Sequence, residues 1–160
     1  MYAHRLLLAA VVVPAFTLSA QKQGGATPNG ATIAAAARGA PLDHARGRSA
    51  SIDGKRFDIT PADLSGVTSL ERLRSGVFLG VLDNEAGTAE DVSLPAGHFN
   101  LYLMQVGGTW TAYAESGGKV YPAKRALEKP DGPPGKEPKF SRGSGCWWLW
   151  LIFTGIEVCW

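Results

Sequence analysis

A histidine within reach of a carboxylate is the simplest proton-transfer device a chain can build. His98 is the residue in this sequence that invites the reading. It follows the turn-forming run Leu94-Pro95-Ala96-Gly97, and the acids Asp83, Glu85, Glu90 and Asp91 stand shortly before it. A histidine held by such an acid would serve as the general base of a small hydrolase. A solvated histidine at the start of a strand is the commoner occurrence of the same pattern. His44 follows Asp43 in a stretch with no scaffold around it, and no Gly-x-Ser-x-Gly, His-Glu-x-x-His or phosphate-cradling glycine loop is present. The four acids also offer oxygen ligands to Ca²⁺. Their order is wrong for an EF-hand, because Gly87 is misplaced and Leu94 stands where the bidentate Glu belongs. A solvated acidic loop is the expectation, with no metal and no cofactor.

The second candidate chemistry is sulfur. The two cysteines, Cys146 and Cys159, bracket a Trp-rich C-terminus. In an oxidising compartment they are expected to pair, with a loop-closure gain of about 3 kcal/mol. The obvious turn, Thr154-Gly155, argues against a regular hairpin, since it would set Cys159 opposite Trp150 rather than Cys146. Two thiols without a nearby histidine make no zinc set. The disulfide is therefore preferred and the simple turn distrusted.

A third candidate is a ligand platform of Tyr102, Tyr113 and Thr111. It depends on the register of a hairpin. Phe99 to Val106 and Thr109 to Glu115 flank Gly107-Gly108, a pair suited to a two-residue primed turn. That turn sets Val106 opposite Thr109, Gln105 opposite Trp110, Leu103 opposite Ala112 and Leu101 opposite Ala114. Phe99, Leu101, Leu103, Trp110, Ala112 and Ala114 then share one face, large against small, as a core layer requires. Tyr102, Met104, Thr109, Thr111 and Tyr113 share the other. With Asn100 and the threonines nearby, that outer face has the makings of a carbohydrate contact, or it is covered by further chain.

The rest of the chain must hold these residues in place. Asp53-Gly54 lies between short β-prone pieces and reads as a hairpin. Thr60-Pro61-Ala62-Asp63 carries an N-cap, a first-turn proline and an acid, which predicts a short helix ending near Gly66. Thr68-Ser69-Leu70-Glu71 fits a capping box, with Gly76 to close a second helix and Leu70 and Leu73 facing the core. Strands are expected over 77–82, over 119–121 at an edge because of Pro122, and over 126–128. The stretch from Lys129 to Arg142 holds four prolines and two glycines and reads as a loop.

At the C-terminus, Trp147, Leu149, Leu151 and Phe153 alternate with Trp148, Trp150 and Ile152, so both faces of a strand there are apolar. Such a strand is covered on both sides, contacts a partner or sugar, or meets a membrane surface. Core packing is the leading reading. The terminal aromatic also resembles the last strand of outer-membrane barrels, but the many ten-residue strands of such barrels are missing.

Met1 to Arg5 is a short basic start, Leu6 to Leu18 is uncharged, and Ser19-Ala20 are small. This is the pattern of a secretory signal peptide over 1–20, with cleavage expected after Ala20. Residues 21–50 contain only Ile33 and Leu42 as large apolar side chains and read as a disordered linker. A single β-rich domain follows over 51–160, including a Pro/Gly-rich loop over 129–145. Among 160 residues, Gly 20 and Pro 10 exclude a helix bundle, and a net charge of +2 excludes a strongly basic nucleic-acid binder. Charge is nonetheless segregated: net +4 over 21–56, −6 over 57–115 and +3 over 116–160.

Leu94-Pro95-Ala96-Gly97 followed by His98-Phe99-Asn100-Leu101 resembles the Leu-Pro-Ala-Gly-x-aromatic-x-Leu segment of exported bacterial β-sandwich modules, the carboxypeptidase regulatory-like and transthyretin-like domains. The likeness covers about 30 residues and lacks the Asp-Gly-x-Phe step those modules carry before the turn. It implies a β-sandwich and a mostly non-catalytic accessory role, and transfers no functional residue.

The expected protein is mainly β: a small antiparallel sandwich or open barrel with one or two short helices, exported to the periplasm or beyond. The expected function is a non-enzymatic binding or interaction module for a protein or carbohydrate partner. The alternatives are the His98 hydrolase and a cell-envelope protein whose 146–160 end touches membrane or a partner.

Overall fold

A computed structural model describes residues 26–88, 92–129, 139–140, 146–150 and 155–160. The expected signal peptide, Glu90, Asp91 and most of the 129–145 loop lie outside these residues. Two antiparallel sheets make up the fold. β1 (Arg48–Ile52), β2 (Lys55–Pro61), β3 (Val77–Asn84), β4 (Gly97–Val106), β5 (Thr109–Ser116) and β6 (Lys119–Pro122) pair in simple chain order. The second sheet contains β7 (Arg125–Lys129), β8 (Lys139–Phe140), β9 (Cys146–Trp150) and β10 (Gly155–Cys159), in the order β7-β10-β9-β8. The fold is mainly β and sandwich-like, as the alternation and turn residues predict.

Local chemistry explains the meander. Asp53 and Gly54 both take positive φ, 52° and 75°, as a two-residue primed turn demands, and Ile52 pairs with Lys55. Gly107-Gly108 closes β4 on β5 in the expected register, with Gln105 opposite Trp110, Leu103 opposite Ala112 and Leu101 opposite Ala114. Phe99, Leu101, Leu103, Ala112 and Ala114 are almost wholly buried. They meet Ala126, Trp147, Ile156, Val158 and Trp160 from the second sheet in one core. Trp147 and Trp160 are each 1% exposed, so at these two positions core packing describes the Trp-rich end. Gly80 is held at φ 135°, and a Cβ there would lie 2.2 Å from the Thr60 carbonyl oxygen. Its glycine therefore permits the close approach of β2 and β3.

Three expectations are corrected. The Thr60-Pro61 helix is instead the end of β2: Thr60 pairs with Val81 and Pro61 with Gly80, so ladder pairing overrides the local cap signal. The later helix, α2 (Leu70–Arg74), does form, but Ser69 rather than Thr68 caps it by accepting from the Arg72 amide at 3.2 Å. Leu73 is buried and Leu70 partly buried.

The largest correction concerns the expected linker. Residues 30–38 form a helix, α1 (Gly30–Arg38), capped by Asn29 Oδ1 accepting from the Thr32 amide at 2.8 Å. Its one large apolar residue, Ile33, is 0% exposed. An Ala-rich helix this short is marginal alone, but the sheet supplies the apolar surface it lacks. A Cβ at Gly30 would sit 2.5 Å from the Gly118 carbonyl oxygen, so the helix start lies directly against the β5–β6 turn. Downstream, a 3-10 turn covers His44–Arg46, and Leu42 bridges Ala62.

Candidate functional site

One face of the six-stranded sheet looks toward the second sheet. The other, outer face is divided in two. At one end α1 lies across it, and Ile33 packs on Tyr102, Met104 and Tyr113. Tyr102 and Tyr113 are 8% and 4% exposed, so the expected tyrosine platform is a small second core rather than an open contact surface. The physical reason is the helix assigned to the linker: it brings the cover that the strand pattern alone does not reveal. Thr111 stays partly exposed at the edge of this cluster. Burial pushes the Tyr102 phenol up from its ordinary value, against a weaker downward pull from the Arg72 guanidinium. Between α1 and the α2 region lies a trough of about 430 Å³ walled by Ala36, Ala40, Leu64, Val67 and Phe78, with Arg72 on its wall.

The other end of the outer face is open and polar. Alternation in β2 buries Phe57 and Ile59 and turns Asp58 outward; in β3 it buries Leu82 and turns Asp83 outward; in β4 it buries Phe99 and turns His98 outward. The registers place Asp58 opposite Asp83 and Asp83 opposite His98, so these three residues form one row across three strands. Like charges directly opposite on a sheet repel. Each carboxylate here has a basic partner: Arg56 Nη2 is 2.6 Å from Asp58 Oδ2, and His98 Nδ1 is 2.6 Å from Asp83 Oδ1. Asp58 Oδ1 is out of water and takes no hydrogen bond among the described residues.

Beside the row runs a shallow groove of about 490 Å³ lined by Arg56, Asp58, Asp83, Asn84, Glu85, Ala96 and Gly97. Its far wall is fixed by Asn84, 2% exposed. The Asn84 amide nitrogen donates to the Leu94 and Pro95 carbonyls at 3.1 and 3.0 Å, and its oxygen accepts from the Gly87 amide at 3.1 Å. One side chain thus clips together both ends of the loop between β3 and β4. Where the open half meets the covered half, buried Glu115 accepts from Asn100 Nδ2 at 2.8 Å and from the Gly118 amide at 2.7 Å.

Of the residues expected from sequence, the structure brings His98 and Asp83 together and puts Glu85 in the adjoining groove. Asp83 belongs to β3 rather than to the acidic loop. Asp58, Arg56 and Asn84 were not anticipated. Alternation through Phe57-Asp58-Ile59 does show that Asp58 faces away from the core, but its position beside Asp83 depends on a pairing 25 residues apart in sequence.

The second sheet carries the disulfide. Cys146 pairs with Cys159 across β9 and β10, with Cα atoms 4.0 Å apart. The connection leaves Gly155 opposite Trp150, so Gly155 begins β10 instead of serving in a two-residue turn; this removes the register conflict. Arg125 Nη2 lies 3.1 Å from Glu157 Oε2 and 3.4 Å from Cys159 Sγ. The ligand atoms of Cys146, Cys159 and Glu157 lie within 4.8 Å of one another. A metal there would have to displace both the S–S bond and the guanidinium.

No protein-family model matches this chain, and no curated protein or solved structure matches it. Among the described residues no helix is long and apolar enough to cross a membrane, which leaves strand-built membrane structures unaddressed.

Proposed function

We propose that this chain is an exported, non-enzymatic binding module whose contact surface is the open half of the outer sheet face. The carrying observation is the row Asp58–Asp83–His98, set on three paired strands beside a groove. Rigid strands hold its polar groups in fixed geometry, which favours specific recognition over loose electrostatic attraction. The carboxylates, the Arg56 guanidinium and the histidine suit a carbohydrate or protein ligand that offers several hydrogen-bonding groups. Export rests on the N-terminal pattern with cleavage after Ala20, and the Cys146–Cys159 disulfide is in keeping with an oxidising compartment. The sandwich-like fold also agrees with the resemblance at Leu94–Leu101 to exported accessory modules.

A glycan array and a panel of envelope proteins, followed by titration calorimetry on any hit, test this reading. The variant D58A/D83A/H98A should lose binding about tenfold or more while keeping its thermal midpoint close to the parent's. A hit whose affinity the triple variant leaves unchanged would move the contact surface elsewhere.

One observation favours a second reading, the small hydrolase. Asp83 engages Nδ1 of His98 and leaves the other ring nitrogen directed away from the pair, the arrangement of an oriented general base. Turnover of an ester or amide panel that disappears in H98A and falls in D83N would establish it; turnover unaffected by H98A would end it.

A further inference from the structure

The disulfide is surrounded by charge in a way a purely structural crosslink does not require. Cys146 and Cys159 are 4% and 6% exposed. Against them lies the Arg125 guanidinium from β7, 3.4 Å from the Cys159 sulfur and 4.0 Å from the Cys146 sulfur. Glu157 is 8% exposed, lies two residues from Cys159 on β10, and holds that guanidinium at 3.1 Å. Cys159 is also the register partner of Arg125, so the placement follows from the backbone pairing. Arg125 from β7 and Glu157 from β10 thus bring opposite charges to the sulfurs.

We propose that Cys146–Cys159 is a thiol-exchange site reduced by dithiols, in which Cys159 is the leaving sulfur and Arg125 stabilises it as the thiolate. The positive charge closest to Cys159 favours departure of that sulfur with the bonding electron pair. In the first step a thiolate of the dithiol attacks Cys146 Sγ. A mixed disulfide forms, the Cys146–Cys159 bond breaks, and Cys159 leaves as a thiolate beside Arg125. In the second step the other thiol of the reductant, having lost its proton, attacks its own sulfur in the mixed disulfide. Cys146 is released as a thiolate and takes up a proton, and the dithiol departs as a cyclic disulfide. Two electrons pass from the dithiol to the protein. The guanidinium stabilises the reduced protein, so the disulfide is easier to reduce than it would be without it. Near-complete burial slows exchange, so the equilibrium and not the rate is the measurement that decides.

The test equilibrates the full chain with dithiothreitol at graded ratios of reduced to oxidised reagent, followed by alkylation and mass counting of free thiols. R125Q should need a ratio about tenfold more reducing for half-reduction, a shift of about 30 mV for a two-electron couple. R125K, which keeps the charge, should stay nearer the parent than R125Q does. An R125Q midpoint equal to the parent's, or an R125K midpoint displaced as far as R125Q, overturns the proposal. If R125Q fails to fold, C146S leaves Cys159 as a single thiol beside Arg125. Its ultraviolet thiolate absorbance should appear at a lower pH in the folded chain than in urea, and an equal or higher pH there also overturns the proposal.

Discussion

The two halves of the outer sheet face are made by the same strands and share one backbone register, yet they have opposite fates. Toward Tyr102 and Tyr113 the face is closed by α1, and its side chains act as core. Toward Asp83 and His98 it is open, and its side chains are paired but exposed: the Asp83 and His98 side chains retain 55% and 59% of their accessible surface. What separates the halves is the presence of a cover, which a nine-residue helix with one large apolar side chain supplies. Residue type on the strands follows that cover, aromatic and Met beneath it and charged beyond it. An outward-facing aromatic is therefore no sign of a ligand platform until the rest of the chain has been placed.

Substitutions should separate the halves by magnitude. Ile33→Ala removes the single anchor of the covered half and should destabilise the fold by about 2–5 kcal/mol, measured by urea denaturation. Ile33→Asp should go further and raise the accessibility of Tyr102 and Tyr113 to tyrosine-specific nitration. A loss below about 1 kcal/mol for I33A would mean that α1 contributes little to closing the face. At the boundary, E115A leaves the Asn100 amide and the Gly118 N–H without their charged acceptor, and should cost about 1.5–3 kcal/mol. In the open half, H98A and D83A should each change stability by less than about 1 kcal/mol. A double-mutant cycle between them should give a coupling of about 0.2–1 kcal/mol that shrinks in salt, as an exposed pair requires.

Smallest of all is the effect of Asp63, just beyond β2 at the rim of the trough beside α1. The Ser65 amide, donating to Asp63 Oδ1 at 2.9 Å, is the main cause holding this carboxyl below its usual value. A depressed acid stabilises the fold above its unfolded-state value and loses that contribution as the pH falls through its folded-state value. D63N keeps an acceptor but no charge. Its thermal midpoint should lie slightly below the parent's at neutral pH, and the two should converge as the medium becomes more acidic than the ordinary aspartate range.

How much of this was legible in the sequence depended on distance along the chain. The β4–β5 register followed from Gly107-Gly108 and from alternation on either side, all within some twenty residues. The β1–β2 turn followed from Asp53-Gly54 in the same way. The helix over 30–38 was not legible, because Ile33 is its only large anchor and the surface it buries belongs to strands some 70–80 residues later. The Thr60-Pro61 cap signal was genuine chemistry, overruled by a β3 partner that local reading does not contain. At the site, His98 and Asp83 were both singled out, but their contact needed the β3–β4 pairing. Asp58 needed a second pairing beyond that. The cysteine pair stands between these cases: the residues alone put the two sulfurs together and cast doubt on the Thr154-Gly155 turn, while the actual register needed the β9–β10 pairing.

Asn84 gives the open half a further property. Because its one amide ties Gly87 to Leu94 and Pro95, both ends of the β3–β4 loop are fixed beside the groove. The outline of the groove is therefore set from within the fold, by a side chain that water hardly reaches. A contact surface framed from beneath keeps its outline while the exposed side chains around it change.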